Sequence, residues 1–461
     1  MSSATQVAAK QGVEDPDAMP SSPLPPQPDR RLFRHELTPA WLQTTAAFAG
    51  EALGSIDDFD HIAWFGCRAH ITPAVVAAVH PSISVHTWDP DPARQAAPAS
   101  ISRVAALRNL VAYERPAPPD DSALPLCDLV VIDGVIDSVD VALRDRVLAA
   151  AGSLLRPGGL LAIAYRTTVG WGEVAPMVRL LRHSLRNGRG PRRSADALAS
   201  LEVLRARGAT YVAVRPVVAA WLDDLLRSPV DEGITSYEAD ALRPLSHAQV
   251  SEAVAVLGAD FIASAHLDDP LPRGPAPLAE QVLAAPTVVL RETLADLAVR
   301  RTARVDLFRL GRSSVGEQIR SCTVENTAVV GTSLSTVETV GAPWAQPAMA
   351  HGCNASGDLN YQALRRAGGA RVSELWPKQT VKDREARLRE ALDAGLLHPA
   401  RDSVPDGAEE AADRLTGALA GAPFSNREQF TVSARLGTAL PSEYVESVDQ
   451  SHLRALGVGG E

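Results

Sequence analysis

The sequence predicts an α/β protein in which a doubly wound, largely parallel sheet is followed by a helical domain and then by a smaller mixed α+β C-terminal domain. Three observations carry this. Short apolar segments alternate with helix-like ones from about residue 60 to 165. Amphipathic helical patterns fill about 172–310, and the chain then becomes rich in Thr, Ser, Val and Gly before a final helical pattern. A chain of 461 residues has room for about three domains. They are expected at 31–195, 196–310 and 311–461, behind a tail of residues 1–30.

The tail is rich in Pro, Ser, Asp and Gln and poor in large apolar groups, so burial cannot offset the entropy of ordering it. Order is expected to begin at "RRLFRHELTPAWLQTTAAFAGEAL", where Leu32, Phe33, Leu37, Trp41 and Leu42 recur at helical spacing. Thr38 suits an N-cap, with Pro39 at the first helical position. "HIAWFG" then reads as a buried strand, "PAVVAAVH" as a helix and "ISVHTWDPD" as a second strand with an acidic end. "CDLVVIDG" is a third strand, "VALRDRVLAAAGSLL" a helix, "RPGG" a turn and "LLAIAY" a further strand. Strands alternating with helices imply parallel pairing with right-handed crossovers. Residues 172–310 read as mostly helical, in "VAPMVRLLRHSL", "VVAAWLDDLLRS" and "HAQVSEAVAVLGA", with a polar Arg/Gly-rich link, "RNGRGPRRSADA". Short strands or irregular structure are expected at 311–375. "DREARLREALDAGLL" is an amphipathic helix that turns Ala386, Leu388, Ala391, Leu392 and Leu396 toward a core.

Composition removes several function classes. A net charge of −10 argues against nucleic acid as the main partner, although local basic stretches remain. Cys67, Cys127, Cys322 and Cys353 lie far apart with no C-x-x-C spacing, which disfavours a zinc site or a disulfide framework. No run of about 18 apolar residues is present to span a bilayer, and the N-terminus lacks a basic region followed by an apolar one. A cytoplasmic protein without a membrane partner is expected. Nucleophile elbows, phosphate-binding Gly-Lys loops and H-x-x-x-H pairs are missing, so hydrolase and triphosphatase chemistry has no support.

Open parallel sheets bind ligands at the carboxyl ends of their strands, near the point where strand order reverses. That directs attention to residues 66–72, 88–94, 133–140 and 165–172. Asp89 follows a strand a little over twenty residues beyond Gly66, where a carboxylate accepts hydrogen bonds from ribose hydroxyls; a loop or helix-cap aspartate is the plainer reading, and Asp91 is a neighbouring candidate. Asp133, Asp137 and Asp140 would share one face if their stretch were helical. They would then serve as a base, a cation site or a solvated acidic face. Tyr165 and Trp171 offer aromatic walls to a cationic ligand, or simply pack the sheet against the helical domain.

"CDLVVIDGV", the crossover helix, "LLRPGGLLAIAY" and the early acidic strand end together resemble class I S-adenosylmethionine-dependent methyltransferases. "FRHELTPAWL", "GWGEVAPMVRLL", "GITSYEADALRPLSHAQVSEAVAVLGADFIASAHL", "RETLADLAVRRTARVDLFRLG" and "AGLLHPA" narrow the likeness to bacterial methyltransferases with a methyltransferase regulatory domain, a group that includes protein-lysine methyltransferases. The resemblance implies a Rossmann-like sheet with S-adenosylmethionine as cofactor. Gly66 would open the cofactor loop with Cys67 behind it, Asp89 would meet the ribose, and Asp133 and Gly134 would flank the methionine moiety.

Three departures stand against it. Where the family has a Gly-Cys-Gly-x-Gly loop, this chain has Gly66, Cys67, Arg68, Ala69 and His70. Those glycines let the backbone approach the cofactor with φ above zero, so their loss either closes the pocket or goes with a rebuilt loop in which Arg68 pairs the methionine carboxylate. "DGVIDSVD" replaces a His-Gly-Val-Tyr-Ser-Trp-like stretch, and "YRTTVGWG" keeps only Tyr165, Gly170 and Trp171 of a Tyr-Asn-x-x-Pro-Gly-Trp pattern. Two functions follow. The first is methyl transfer to a protein or peptide side chain or a small metabolite, with Asp133, Tyr165 or His70 as base where the acceptor carries a proton. The second is an inactive pseudo-methyltransferase acting as a scaffold, or as a homo- or hetero-dimer partner of an active homologue.

Overall fold

Residues 61–166 build the parallel part of one sheet, and the order of its strands places the candidate site. The computed structural model describes residues 33–51, 53, 56–67, 71–115, 117–119, 124–188, 192–227, 234, 242–267, 276–311, 327–331, 370–393, 397–400, 404–420, 430–434 and 436–441. The expected tail, and Arg68 and His70 of the loop, lie outside the described residues.

A first helix, α1 (Pro39–Phe48), is almost wholly buried, and the Trp41 indole N–H donates to the Ala265 carbonyl at 2.7 Å. Thr38 precedes it as expected, but its hydroxyl donates back to the His35 carbonyl instead of capping the helix. The chain then alternates through β1 (His61–Phe65), α2 (Thr72–Val79), β2 (Ser84–Trp88), α3 (Pro92–Val104), β3 (Leu110–Ala112), β4 (Cys127–Asp133), α4 (Val141–Leu154) and β5 (Leu155–Arg166). Every pairing among these five strands is parallel. The "RPGG" turn lies at the start of β5, where Gly158 takes the positive φ of 79° that the turn requires.

Among the described residues the chain continues through α5 (Thr168–Trp171), α6 (Ala175–Asn187), α7 (Arg193–Ala206), α8 (Thr210–Ala213), α9 (Pro216–Arg227) and α10 (His247–Ala255). Trp171, Val178, Leu181, Leu201, Val218, Trp221 and neighbouring apolar residues give this helical part its own core. The expectation of a mostly helical 172–310 needs a correction at its end. After α10 come β6 (Ala259–Ser264), α11 (Ala276–Leu283), α12 (Val288–Val299) and β7 (Ala303–Leu310), and both strands return to the sheet. β7 runs antiparallel between β5 and β6, giving seven strands in the order β3-β2-β1-β4-β5-β7-β6. A strand covered on both faces loses period-two alternation, and Arg304 and Asp306 inside β7 make its sequence read as polar.

The C-terminal part contains β8 (Ala328–Gly331), β9 (Ala370–Arg371), α13 (Val372–Leu375), α14 (Val381–Asp393), β10 (Leu397–Ala400), α15 (Ala408–Ala420), β11 (Phe430–Ser433) and β12 (Thr438–Pro441). It is mixed α+β, as expected. In α14, Leu388, Ala391 and Leu392 are buried as expected, whereas Ala386 faces solvent, and Leu396 lies outside the described residues. α15, β11 and β12 pack on α2, and all eight residues of α2 are buried. Among the described residues no helix is long and apolar enough to cross a membrane, and no cluster of His, Cys, Asp and Glu has the arrangement of a metal centre.

Candidate functional site

Strand order reverses between β1 and β4, because β2 and β3 lie to one side of β1 and β5 lies beyond β4. The crevice outside the carboxyl ends of two such strands is where open α/β sheets take ligands. The residues at the carboxyl ends of β1, β2 and β4 include Gly66, Cys67, Asp89, Asp133 and Gly134, as the sequence suggested.

Gly66 has φ of +90°, and a Cβ built on it would lie 2.4 Å from the Asp133 carbonyl oxygen. Glycine is needed because the ends of β1 and β4 touch here, a tighter reason than room for a ligand. Its N–H donates to the Trp88 carbonyl at 2.7 Å, which carries the chain across to β2. Next to it, the Cys67 N–H donates to Asp89 Oδ2 at 2.7 Å, and the Asp91 N–H donates to Asp89 Oδ1 at 2.7 Å. Asp89 is therefore fixed by both oxygens at the end of β2 and is only 5% exposed. Burial pushes its carboxyl up to about 6, against the lowering effect of Arg94 and of the two backbone donors. Cys67 is fully buried; burial first, then the charges of Asp89 and Asp133, push its thiol well above the ordinary range. Asp91 takes the plainer of its two readings, with Oδ1 accepting from the Ala93 N–H as the N-cap of α3.

Asp133, Asp137 and Asp140 do not share a helical face, which corrects that expectation. Asp133 ends β4, residues 134–139 form a turn, and Asp140 is the N-cap of α4, accepting from the Leu143 N–H at 2.8 Å. Asp133 and Asp137 are each 1% exposed, so they are not a solvated acidic face. Each has its own cation. Arg34 Nε lies 3.4 Å from Asp133 Oδ1, and Asp137 Oδ2 accepts from both the N–H and Nε of Arg166 at 2.9 and 2.6 Å. Arg34 also anchors through its N–H, which donates to the Thr72 hydroxyl at the start of α2. The segment before α1 thus closes over the ends of β1 and β4. Arg34 was missed from the sequence, although a cation within the apolar recurrence of "LFRHEL" was a signal. Gly134 takes φ of +67°, and its N–H donates to the Ala164 carbonyl.

Tyr165 stands elsewhere. Its hydroxyl donates to Asp306 Oδ2 at 2.6 Å, within a buried network where His247 Nδ1 lies 2.9 Å from the same oxygen. Arg304 Nε donates to Asp306 at 2.8 Å, and its two terminal nitrogens donate to Asp296 and Glu292 at 2.6 and 2.9 Å. Burial alone would raise the Asp306 carboxyl; Arg304 and the donors from His247 and Tyr165 overcome it and hold Asp306 well below the usual range. Burial and Asp306 push the Tyr165 phenol well up, so at neutral pH it is a donor locked between β5, β7 and α10. The Asp296 carboxyl moves the other way, raised because burial outweighs Arg304 and Arg301. Trp171, 1% exposed, packs into the core of the helical part. Both aromatic residues are buried, Tyr165 hydrogen-bonded to Asp306 and Trp171 packed in the helical core.

Solved structures supply the comparison. PKMT2 from Rickettsia typhi, in a structure in complex with AdoHcy, superposes with a TM-score of 0.64 over 92% of this chain and 90% of that one, at 13% identity. The two chains share one fold. A second structure of PKMT2 gives a TM-score of 0.60 over 88% of this chain and 84% of that one, at 14% identity. The likeness therefore runs through the sheet, the helical part and the C-terminal part together. No family model and no curated protein matches the chain.

Proposed function

We propose that this chain is an S-adenosylmethionine-dependent methyltransferase acting on a protein or peptide side chain or a small metabolite. The observation that carries the reading is Asp89, a carboxylate fixed at the end of β2 beside the topological switch point, with each oxygen already oriented by a backbone donor. A carboxylate has about four acceptor sites, so acceptor capacity remains for a ribose diol. The donor set suits an adenosine at Asp89, and a methionine end between Gly66, Cys67, Asp133 and Gly134. PKMT2, which shares the fold, has been solved with AdoHcy, in keeping with that assignment.

The cofactor supplies a methyl group on a sulfonium centre, open to in-line displacement. The protein's task is orientation, since holding acceptor and methyl carbon in line replaces a bimolecular encounter. Asp89 fixes the sugar. The Arg34–Asp133 ion pair sets the charge at the methionine end, with the guanidinium able to face a carboxylate. Where the acceptor carries a proton, Asp133 is the candidate base, because Tyr165 is held by Asp306. The parts assigned to Arg68 and His70, as carboxylate partner and alternative base, remain part of this proposal.

The lost glycines after Gly66, together with the ion pair that Arg34 draws across the strand ends, favour a second reading. In it the chain is a pseudo-methyltransferase, a scaffold or the dimer partner of an active homologue. Calorimetric titration with S-adenosylmethionine and S-adenosylhomocysteine separates the two. Micromolar binding that Asp89→Ala abolishes supports the enzyme, and no binding up to millimolar ligand removes it in favour of the scaffold.

A further inference from the structure

Helix α6 presents Arg179, Arg182, His183 and Arg186 at spacings of three, four and seven residues, which puts them on one face. The adjoining face is apolar: Val178, Leu181 and Leu185 are buried in the core of the helical part. Arg243 joins the cationic face from the segment before α10, and these five residues line a cavity of about 450 Å³. Among the described residues no carboxylate pairs with Arg179, Arg186 or Arg243. The cavity is tied to the strand ends, because the Arg243 N–H donates at 2.7 Å to the carbonyl of Asp137, four residues beyond Asp133.

We propose that this cleft binds a carboxylate-rich peptide segment and holds it beside the carboxyl ends of β4 and β5. That the peptide carries the methyl acceptor rests on the methyltransferase reading; its binding does not. Three features select the ligand. The seven steps from Arg179 to Arg186 span about 10 Å along the helix, too far for one phosphate to bridge and suited to acidic residues about three apart on an extended chain. The described lining holds no aromatic ring on which a base could stack. The net charge of −10 opposes an extended polyanion laid across the surface, which favours a short acidic segment held at this cationic face.

The test is fluorescence anisotropy with the full chain and a fluorescein-labelled peptide bearing Glu at every third position, beside its Gln counterpart. The Glu peptide is expected to bind and the Gln peptide not. Affinity should fall roughly tenfold in Arg179→Glu with Arg186→Glu and in Arg243→Glu, and should fall again in about 1 M salt. The exposed changes Arg179→Gln and Arg186→Gln provide the same comparison should charge reversal impair folding. Equal binding of both peptides, unchanged affinity in the variants, no binding at millimolar peptide, or preferential binding of single-stranded RNA or inorganic phosphate would each overturn the proposal. Titration of the same preparations with S-adenosylhomocysteine keeps the two readings apart. Peptide binding without cofactor binding sustains this inference while removing the methyltransferase.

Discussion

Substituting Gly66 by alanine tests the geometry of the strand ends. The new Cβ would sit 2.4 Å from the Asp133 carbonyl oxygen, 3.2 Å from its carbon and 3.3 Å from Val135 Cβ. The first obstacle is backbone at the end of a fully buried strand and cannot rotate aside, so β1 and β4 must part by about 1 Å to restore ordinary contact. Strain at φ of +90° adds about 1–3 kcal/mol, and the forced repacking a similar amount, giving a loss of about 3 kcal/mol or more. Gly158 is the control: it also has positive φ, but a Cβ there meets nothing nearer than 3.9 Å, so Gly158→Ala carries the strain alone. Because a chain with several cores need not unfold in one step, hydrogen exchange read by mass spectrometry over residues 61–67 and 127–133 is the suitable assay. Protection there should fall roughly a hundredfold in Gly66→Ala, and less in Gly158→Ala. Unchanged exchange in both segments would refute the close approach as the reason for this glycine.

Tyr165→Phe removes a hydrogen bond to a charged group, a loss of about 1.5–3 kcal/mol; the denaturation midpoint should drop while S-adenosylhomocysteine affinity stays constant, and a loss of affinity instead would return Tyr165 to the site. Arg304→Met leaves Asp306, Asp296 and Glu292 buried without their shared cation. It should cost about 3–5 kcal/mol, and an unmoved unfolding midpoint would contradict that. For Asp89, with a carboxyl at about 6 in the folded chain against 3.8 unperturbed, the folded state holds its proton more tightly than the unfolded one. Its contribution to stability is therefore complete below about 4 and lost as pH rises through about 6. Ribose hydroxyls need the ionised form, so binding has the opposite sign. Affinity for S-adenosylhomocysteine should be level above pH 7 and fall about tenfold per unit below 6, with Asp89→Asn abolishing the dependence. A flat profile in the unsubstituted chain would remove Asp89 from the contact.

The parallel half of the sheet was legible because its strands and helices differ in period and are separated by Pro and Gly. The acidic end of β2 and the glycine at the end of β1 follow from that order alone. What stayed hidden depends on pairing over long distances. Arg34 reaches Asp133 from a segment 99 positions earlier in the chain, and nothing local marks that meeting. β7 was obscured by Arg304 and Asp306, whose charges read as surface until Tyr165, His247, Asp296 and Glu292 are brought around them. In hindsight, the opposite charges of Arg304 and Asp306 two positions apart at the start of the otherwise apolar "RVDLF" were the sign of a buried pair. The Asp133–Asp140 stretch misled for the reverse reason: spacings of four and three fit a helix, yet the turn after β4 sends each carboxylate to a separate partner.

A crystal structure of the full chain grown with S-adenosylhomocysteine tests the central assignment most directly. The ribose hydroxyls should lie within hydrogen-bond distance of Asp89, with the homocysteine end between Gly66 and Asp133. Ligand bound away from the ends of β1, β2 and β4, or no ligand at millimolar concentration, would contradict it.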